Sequence, residues 1–260
     1  MKQRIKRALN ALGVEVTSYE NLQHLVAKAA RNDQAGRDLE FLRTLPHADA
    51  PRLLANLGAS RAQLRQDLFV LSELNFKREG FFVEFGATNG VDLSNTYLLE
   101  KAFGWTGILA EPANSWHSAL HENRTAHIET RCVWAVSGEL LPFNEVNVGS
   151  LSTIASFNAA DEHAETRRLG RTYKVESISL NDLLEKFNAP KVVDYLSIDT
   201  EGSEFEILNN VDYDRYSFGV ITCEHNYTPL RDRIHDLLVR KGYQRKYQEL
   251  SGCDDWYVKG

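Results

Sequence analysis

The sequence predicts an α/β protein whose core is a seven-stranded, mostly parallel sheet preceded by a helical segment. Three observations predict it. From residue 81 onward, hydrophobic strand-like runs alternate with helix-like runs. Several of those runs end in glycines or acidic residues, as strands do where a ligand sits beyond their carboxyl ends. Residues 1 to about 78, in contrast, contain no strand-like run and space their apolar residues helically.

The opening stretch, "MKQRIKRALNALG", reads as an amphipathic helix closed by Gly13, with weak contact to a membrane surface as the alternative. It lacks an apolar core of signal-peptide length, and no stretch of about 18 apolar residues predicts a membrane span. Further on, Leu22, Leu25, Val26 and Ala29 mark one helical face and Leu64, Leu68 and Leu71 another. Ser60 and Gln63 have capping-box spacing and predict a helix over "SRAQLRQDLFVLSEL", while Pro46, Pro51 and Gly58 punctuate the preceding helices. Residues 1–78 are thus expected to form a lid or a homo-oligomerisation segment, and residues 79–260 the ligand-binding domain.

Within that domain the order is strand "FFVEFGA", helix "SNTYLLEKAF", strand "TGILAE", helix "NSWHSALHEN" and strand "HIETRCVWAVS". A polar excursion follows over about 138–172. The alternation then resumes with helix "SLNDLLEKF", strand "VVDYLSID", short helix "SEFEILNN" and strand "FGVITCE". In "TPLRDRIHDLLVRKG", Thr228 is placed as cap, Pro229 in the first turn and Gly242 as the stop. The closing "YQRKYQELSGCDDWYVKG" holds two strand-like runs about a turn, an antiparallel pair at one end of the sheet.

Composition narrows the function. With 36 acidic against 30 basic residues and a net charge of −6, the chain is not expected to bind nucleic acid through a basic surface. Cys132, Cys223 and Cys253 form no C-x-x-C pair, which argues against a thiolate zinc site or a disulfide framework and fits a cytoplasmic location.

Four strand ends carry the chemistry. Glu84, Gly86 and Gly90 make E-x-G-x-x-x-G at the first, where glycine lets a backbone turn sharply beside a ligand. Glu111 ends the second in "AEP", 21 residues beyond Gly90, where a carboxylate can accept hydrogen bonds from both hydroxyls of a ribose. The bland reading gives the glycines a tight turn and Glu111 a helix-start position; the two motifs in register on adjacent strands favour a ribose-bearing ligand. Asp199 and Glu201 follow the strand in "LSIDTEGSEFEIL" and are expected to face one crevice. Ser203 and Glu206 have capping-box spacing and Glu204 lies in a first helical turn, so Ser203 and Glu204 are assigned structural roles. In "ITCEHN", Glu224, His225 and Asn226 end the next strand. Asp199, Glu224 and His225 are candidates for catalysis, and with Glu201 and Asn226 they form a donor set suited to magnesium, manganese or calcium; water-bridged polar packing is the alternative.

In combination, "GFFVEFGATNGVDLSNTYLLEK", "GWTGILAEP", "DYLSIDTEGSEFEIL" and "CEHN" resemble the FkbM-type family of methyltransferases, in that family's order and over about residues 66–226. The resemblance implies a class I methyltransferase (Rossmann-like) sheet with an antiparallel last strand and S-adenosylmethionine as cofactor. It implies methyl transfer to a hydroxyl of a sugar, glycan or polyketide-like natural product, a small-molecule or glycan acceptor. It places the cofactor against Glu84, Gly86, Ala87, Gly90, Asn95, Glu111 and Pro112, the adenine near Trp134 and Ala135, and Asp199 beside the methyl group. Thr88 and Asn89 depart from the Asp-Gly often found in the family's first motif. Two other functions share the grammar. A nicotinamide-dependent sugar oxidoreductase or epimerase calls for G-x-G-x-x-G and a Tyr-x-x-x-Lys pair, neither of which is here; the intact polar strand ends weigh against a non-catalytic nucleotide-binding module.

Overall fold

A computed structural model describes residues 19–146, 152–157 and 164–260. The expected helix over residues 1–13 lies outside the described residues. The chain divides into two compact units between His47 and Ala48. In the first, helix α1 spans Tyr19–Thr44. No helix among the described residues is long and apolar enough to cross a membrane.

The second unit begins with helices α2 (Ala50–Asn56) and α3 (Gln66–Glu73). The helix expected from Ser60 starts only at Gln66, because Arg65 takes a left-handed conformation and Ala62 instead bridges to Leu93. Ser60 uses its hydroxyl on the buried Asp67 carboxylate, 2.7 Å away, so the capping-box spacing carries no capping box.

The sheet unit then runs β1 (Phe81–Phe85), α4 (Tyr97–Phe103), β2 (Thr106–Ala110), α5 (His117–Asn123), β3 (His127–Glu129), β4 (Cys132–Trp134), β5 (Leu140–Glu145) and β6 (Thr153–Ile154). It continues through α6 (Ala164–Arg167), β7 (Arg171–Ser179), α7 (Leu180–Lys186), β8 (Val192–Ile198), α8 (Glu204–Asn209), β9 (Ser217–Glu224), α9 (Leu230–Arg240), β10 (Tyr243–Lys246) and β11 (Asp254–Lys259). The main sheet has seven strands in the order β10-β11-β9-β8-β1-β2-β3. All pairs from β3 to β9 are parallel, and β11 is antiparallel to both β9 and β10, matching the expected class I methyltransferase sheet.

The chain moves outward from β1 through β2 to β3, then returns to the other side of β1 with β8 and β9. The β1–β8 boundary is therefore the point where strand order reverses, and a crevice opens there beyond the strand ends. The hydrophobic strands that read as continuous runs are buried on both faces: Val83, Ile108, Val193, Leu196, Phe218 and Ile221 all have no accessible surface. Trp105, at 2% exposed, closes one end of the layer and donates its indole N–H to the Lys77 carbonyl.

The expected third strand is two strands. After Glu129 the chain leaves the main sheet, and Cys132–Trp134 pairs with β7 in a second, four-stranded sheet of order β4-β7-β5-β6. The excursion over 138–172 thus holds β5, β6 and the start of β7, built on antiparallel pairs that bury Phe143, Ile154 and Val175 against Cys132. Its polar, weakly alternating sequence hid these strands.

Candidate active site

A cleft lies over the carboxyl ends of β1, β2, β8 and β9. Its walls include Glu84, Gly86, Asn95, Glu111, Pro112, Asp199 and Glu224 from the sequence expectations. Ala87, Gly90, Trp134, Ala135 and His225 do not line it.

Gly86 stands at the reversal point with φ +72°, and a Cβ there would lie 2.3 Å from the Asp199 carbonyl oxygen. Only glycine lets the ends of β1 and β8 come this close. Gly90, at φ +78°, is glycine for a different reason: its Cβ would strike Arg124 and Leu120 at 2.6 and 2.7 Å, so it seats α5 against the loop and makes no cleft wall.

Glu84 is 3% exposed and holds the 94–96 loop. One carboxylate oxygen accepts the Asn95 N–H at 2.7 Å, and the other accepts the Ser94 hydroxyl at 3.0 Å and the Thr96 hydroxyl. Arg124, wholly buried, lies 3.7 Å from the same carboxylate and ties Glu100, Ser94, Thr96 and the Gly90 carbonyl into one network. Asn95 donates its amide to Ser197 at 2.9 Å, while its Oδ1 is buried on the cleft without a hydrogen-bond partner.

Glu111 accepts the Thr88 N–H on one oxygen and the Ala113 N–H on the other, each at 2.8 Å. Burial nevertheless pushes its carboxyl up to about 7, with the two backbone bonds pulling the other way and Glu145 adding repulsion. Its remaining lone pairs are available to hydroxyl donors.

Asp199 and Glu224 end neighbouring parallel strands, Ile198 pairing with Cys223 just before them. The two carboxyls share a hydrogen bond, and burial raises both: Asp199 to about 7 and Glu224 well above the ordinary range. The surrounding acids Glu84, Glu111, Glu201 and Glu204 add repulsion to the same effect. Glu201 joins them: one ligand atom from each of Asp199, Glu201 and Glu224 falls within 4.8 Å of the others. Glu201 is also bound by the buried Arg167 at 2.6 Å and by the Asn226 amide at 3.3 Å.

The structure does not bring His225 into this corner. Its ring packs toward β11, with Nδ1 accepting the Tyr227 N–H at 3.0 Å and Nε2 3.8 Å from Asp255. Burial lowers its pKa, with Asp255 opposing and Arg231 assisting. The cause is strand alternation: the His225 N–H continues the ladder to β11, so its side chain takes the face opposite Glu224, the face of Asp255.

Trp134 and Ala135 miss the cleft because of the break after Glu129; the restarted strand presents Cys132 and Val133 instead. The Ser203 hydroxyl goes to Thr200 rather than to a helix N–H, and the buried Glu204 carboxylate receives the N–H groups of Thr200 and Gly202, so both serve structure without a capping box. Sequence reasoning missed Arg167, Gln66 and Asp254. The doubled acid Asp254–Asp255 beside a strand start was the available signal for the last.

The cleft is acidic. Seven carboxylates line it and, among the described residues, no Lys, Arg or His does. Such a wall suits a cation and disfavours a pyrophosphate, and the stretch from Gly86 to Thr96 intervenes before α4, so no helix N-terminus directly follows the glycine turn.

Comparison with known proteins agrees. The methyltransferase FkbM domain matches residues 84–245, more than half of the chain. Among solved structures, the chain is similar to a precorrin-6y C5,15-methyltransferase from Geobacter metallireducens GS-15, at 12% identity over 69% of this chain and 71% of that one, with a TM-score of 0.38. It is also similar to a SAM-dependent methyltransferase from Aquifex aeolicus, at 10% identity over 76% and 92%, with a TM-score of 0.36. No curated protein sequence matched. With the reversal-point cleft and the matched domain in hand, the chain belongs to the FkbM family of S-adenosylmethionine-dependent methyltransferases.

Proposed function

We propose that this protein is an O-methyltransferase, moving a methyl group from S-adenosylmethionine to a hydroxyl of a sugar, glycan or polyketide-like acceptor in the cytoplasm. The observation that carries the reading is the Asp199–Glu224 carboxyl pair, set side by side on neighbouring strand ends in the cleft wall. The residues present fit the cofactor: a lining whose charged members are all acidic for a sulfonium, a buried Asn95 carbonyl oxygen without a hydrogen-bond partner among the described residues, and Glu111 with acceptor capacity for a ribose. When bound, S-adenosylmethionine supplies an electrophilic methyl group on a positively charged sulfur.

The chain's own residues do the rest. Glu84 and Arg124 fix the 94–96 loop, and Glu111, Pro112, Gly86 and Asn95 line the donor half. An alcohol is a poor nucleophile until its proton has a destination, and a carboxyl pair with raised pKa, once ionised, is a base matched to neutral pH. The hydroxyl proton passes to an ionised carboxylate of the Asp199–Glu224 pair as the oxygen attacks. The Arg167–Glu201 ion pair steadies the neighbouring corner.

A divalent cation on Asp199, Glu201 and Glu224 is the second reading, favoured by the spacing of their oxygens. The base reading is preferred because Glu201 already pairs with the buried Arg167. His225, buried against Asp255, is no longer assigned as base or metal neighbour.

The test is Asp199→Asn assayed by calorimetric cofactor titration and by methyl transfer to candidate acceptors. The reading expects S-adenosylmethionine binding to survive and transfer to fall by at least about 10²-fold, the usual worth of a general base. Wild-type transfer should persist in chelator. Loss of turnover in chelator with binding intact favours the metal, and binding of NAD in place of S-adenosylmethionine overturns the assignment.

A further inference from the structure

The end of the cleft away from Glu111 is closed by residues outside the matched domain, which stops at 245. Because β11 runs antiparallel to β9, its first residue falls at the same sheet edge as the carboxyl ends of β8 and β9. That residue is Asp254, directly opposite Glu224 in register and 7% exposed. Gln66, 4% exposed, donates its amide to Asp254 Oδ2 at 2.8 Å and is itself fixed by the Leu64 N–H on its Oε1.

Asp199, Glu224 and Asp254 therefore stand on three adjacent strands, and none of the three meets a Lys, Arg or His in the described lining. A second observation concerns the same cleft wall: Asn95 is 9% exposed, its Nδ2 is committed to Ser197, and its buried Oδ1 has no hydrogen-bond partner among the described residues. The wall offers acceptors throughout, which is the complement of a bound positive charge.

We propose that Asp254, together with Asp199 and Glu224, forms a cation subsite that makes the cleft prefer the sulfonium donor over its uncharged thioether product. The inference rests on the cofactor assignment above and adds to it a selectivity residue from outside the family domain. Methyl transfer removes the sulfonium charge, so the same wall that holds the donor loses its counter-charge once S-adenosylhomocysteine is formed. Selectivity of this kind favours product release.

The experiment is isothermal titration of the full chain, in chelator and at about pH 8, with S-adenosylmethionine, S-adenosylhomocysteine and sinefungin, an analogue that keeps a positive charge on an amine. A full charge beside three buried acidic side chains predicts that S-adenosylmethionine binds about tenfold more tightly than S-adenosylhomocysteine, and that raising salt from about 50 to about 500 mM shrinks the ratio. Sinefungin should follow the donor. Asp254→Asn should cut the ratio at least about threefold, and Asp254→Glu, which keeps the charge, should restore it. A ratio of one or less, or sinefungin following the product, overturns the subsite; a ratio unmoved in Asp254→Asn removes Asp254 from it. If Asp254→Asn does not fold, the wild-type salt series and the sinefungin comparison still decide the subsite. Binding of none of the three compounds instead overturns the cofactor assignment itself.

Discussion

Replacing Arg124 by methionine keeps an apolar stem and removes a charge that the fold has nowhere else to find. Arg124 is wholly buried. Its Nε donates to Glu100 at 2.8 Å, its Nη1 to the Gly90 carbonyl and Ser94 at 3.0 and 3.1 Å, and its Nη2 to Thr96 at 2.8 Å. Glu84 would keep the bonds from Asn95, Ser94 and Thr96. Glu100 is hurt most, because it would keep Thr125 and the half-exposed Lys101 in place of a bidentate-capable buried cation. Removing one partner of a buried ion pair costs about 3–5 kcal/mol. At about 2–4 °C per kcal/mol for a unit of this size, the melting temperature should fall by roughly 6–20 °C.

The pH dependence identifies the cause. Burial works to raise the Glu100 carboxyl, but the Arg124 charge and the Thr125 bonds outweigh it and hold the group below its ordinary value. A carboxyl held low contributes stability above its unfolded pKa, and that stability is lost as pH falls through the folded pKa. The gap between wild type and Arg124→Met should therefore be full near pH 7 and close below about pH 4. Thermal denaturation by circular dichroism across that range measures it. A loss under about 2 °C near pH 7, or a deficit that stays constant into acid, refutes the assignment of the stabilisation to this pair.

Two further outcomes are open to direct measurement. Gly86→Ala places a Cβ against the backbone oxygen of Asp199 in a left-handed conformation that costs alanine about 1–2 kcal/mol before any clash, so it should lower stability by more than about 2 kcal/mol and abolish cofactor binding; wild-type titration by the variant would contradict the close approach. Burial pushes Glu111, Asp199 and Asp254 up to about 7 and Asp67 up to about 6. Carboxyls raised on folding stabilise below their unfolded values and lose that contribution as pH rises through the folded ones, so the free protein should melt several degrees higher near pH 5.5 than near pH 8. S-adenosylmethionine should narrow that difference in differential scanning fluorimetry, and a melting temperature that climbs from about pH 5.5 to 8 would count against the buried acids.

Much of this was legible before any coordinates. The doubly buried strands announce themselves because Val, Ile, Leu and Phe run together at 81–85, 192–198 and 217–224, and the acids at their ends have no reason to stand there except a crevice. What escaped was decided by backbone direction and by distant partners. His225 follows Glu224 in the chain, yet successive strand side chains point to opposite faces, so the residue beside a cleft acid turns to Asp255 instead. The break at Thr130–Arg131 falls on the polar Glu129-Thr130-Arg131 inside a run read as one strand, so Trp134 and Ala135 were carried past the cleft. Ser60 and Gln63 have a helix-starting spacing, but Asp67 claims the hydroxyl. Asp254 was given no role, since its importance depends on Gln66, 188 residues earlier.

That last separation has a consequence for biogenesis. A ribosome delivers the glycine turn, Glu111, Asp199 and Glu224 well before the strand that begins at Asp254, and the Gln66 amide waits through the whole interval for its acceptor. The edge of β9 lies unpaired for the same interval, with the parallel strands beside it already hydrophobic, and contacts of this sequence distance form slowly because the chain must first be brought together across a long loop. Nascent chains halted before β11 should therefore be sticky and unable to retain nucleoside ligands, while chains extended past it become both soluble and ligand-competent in a single step.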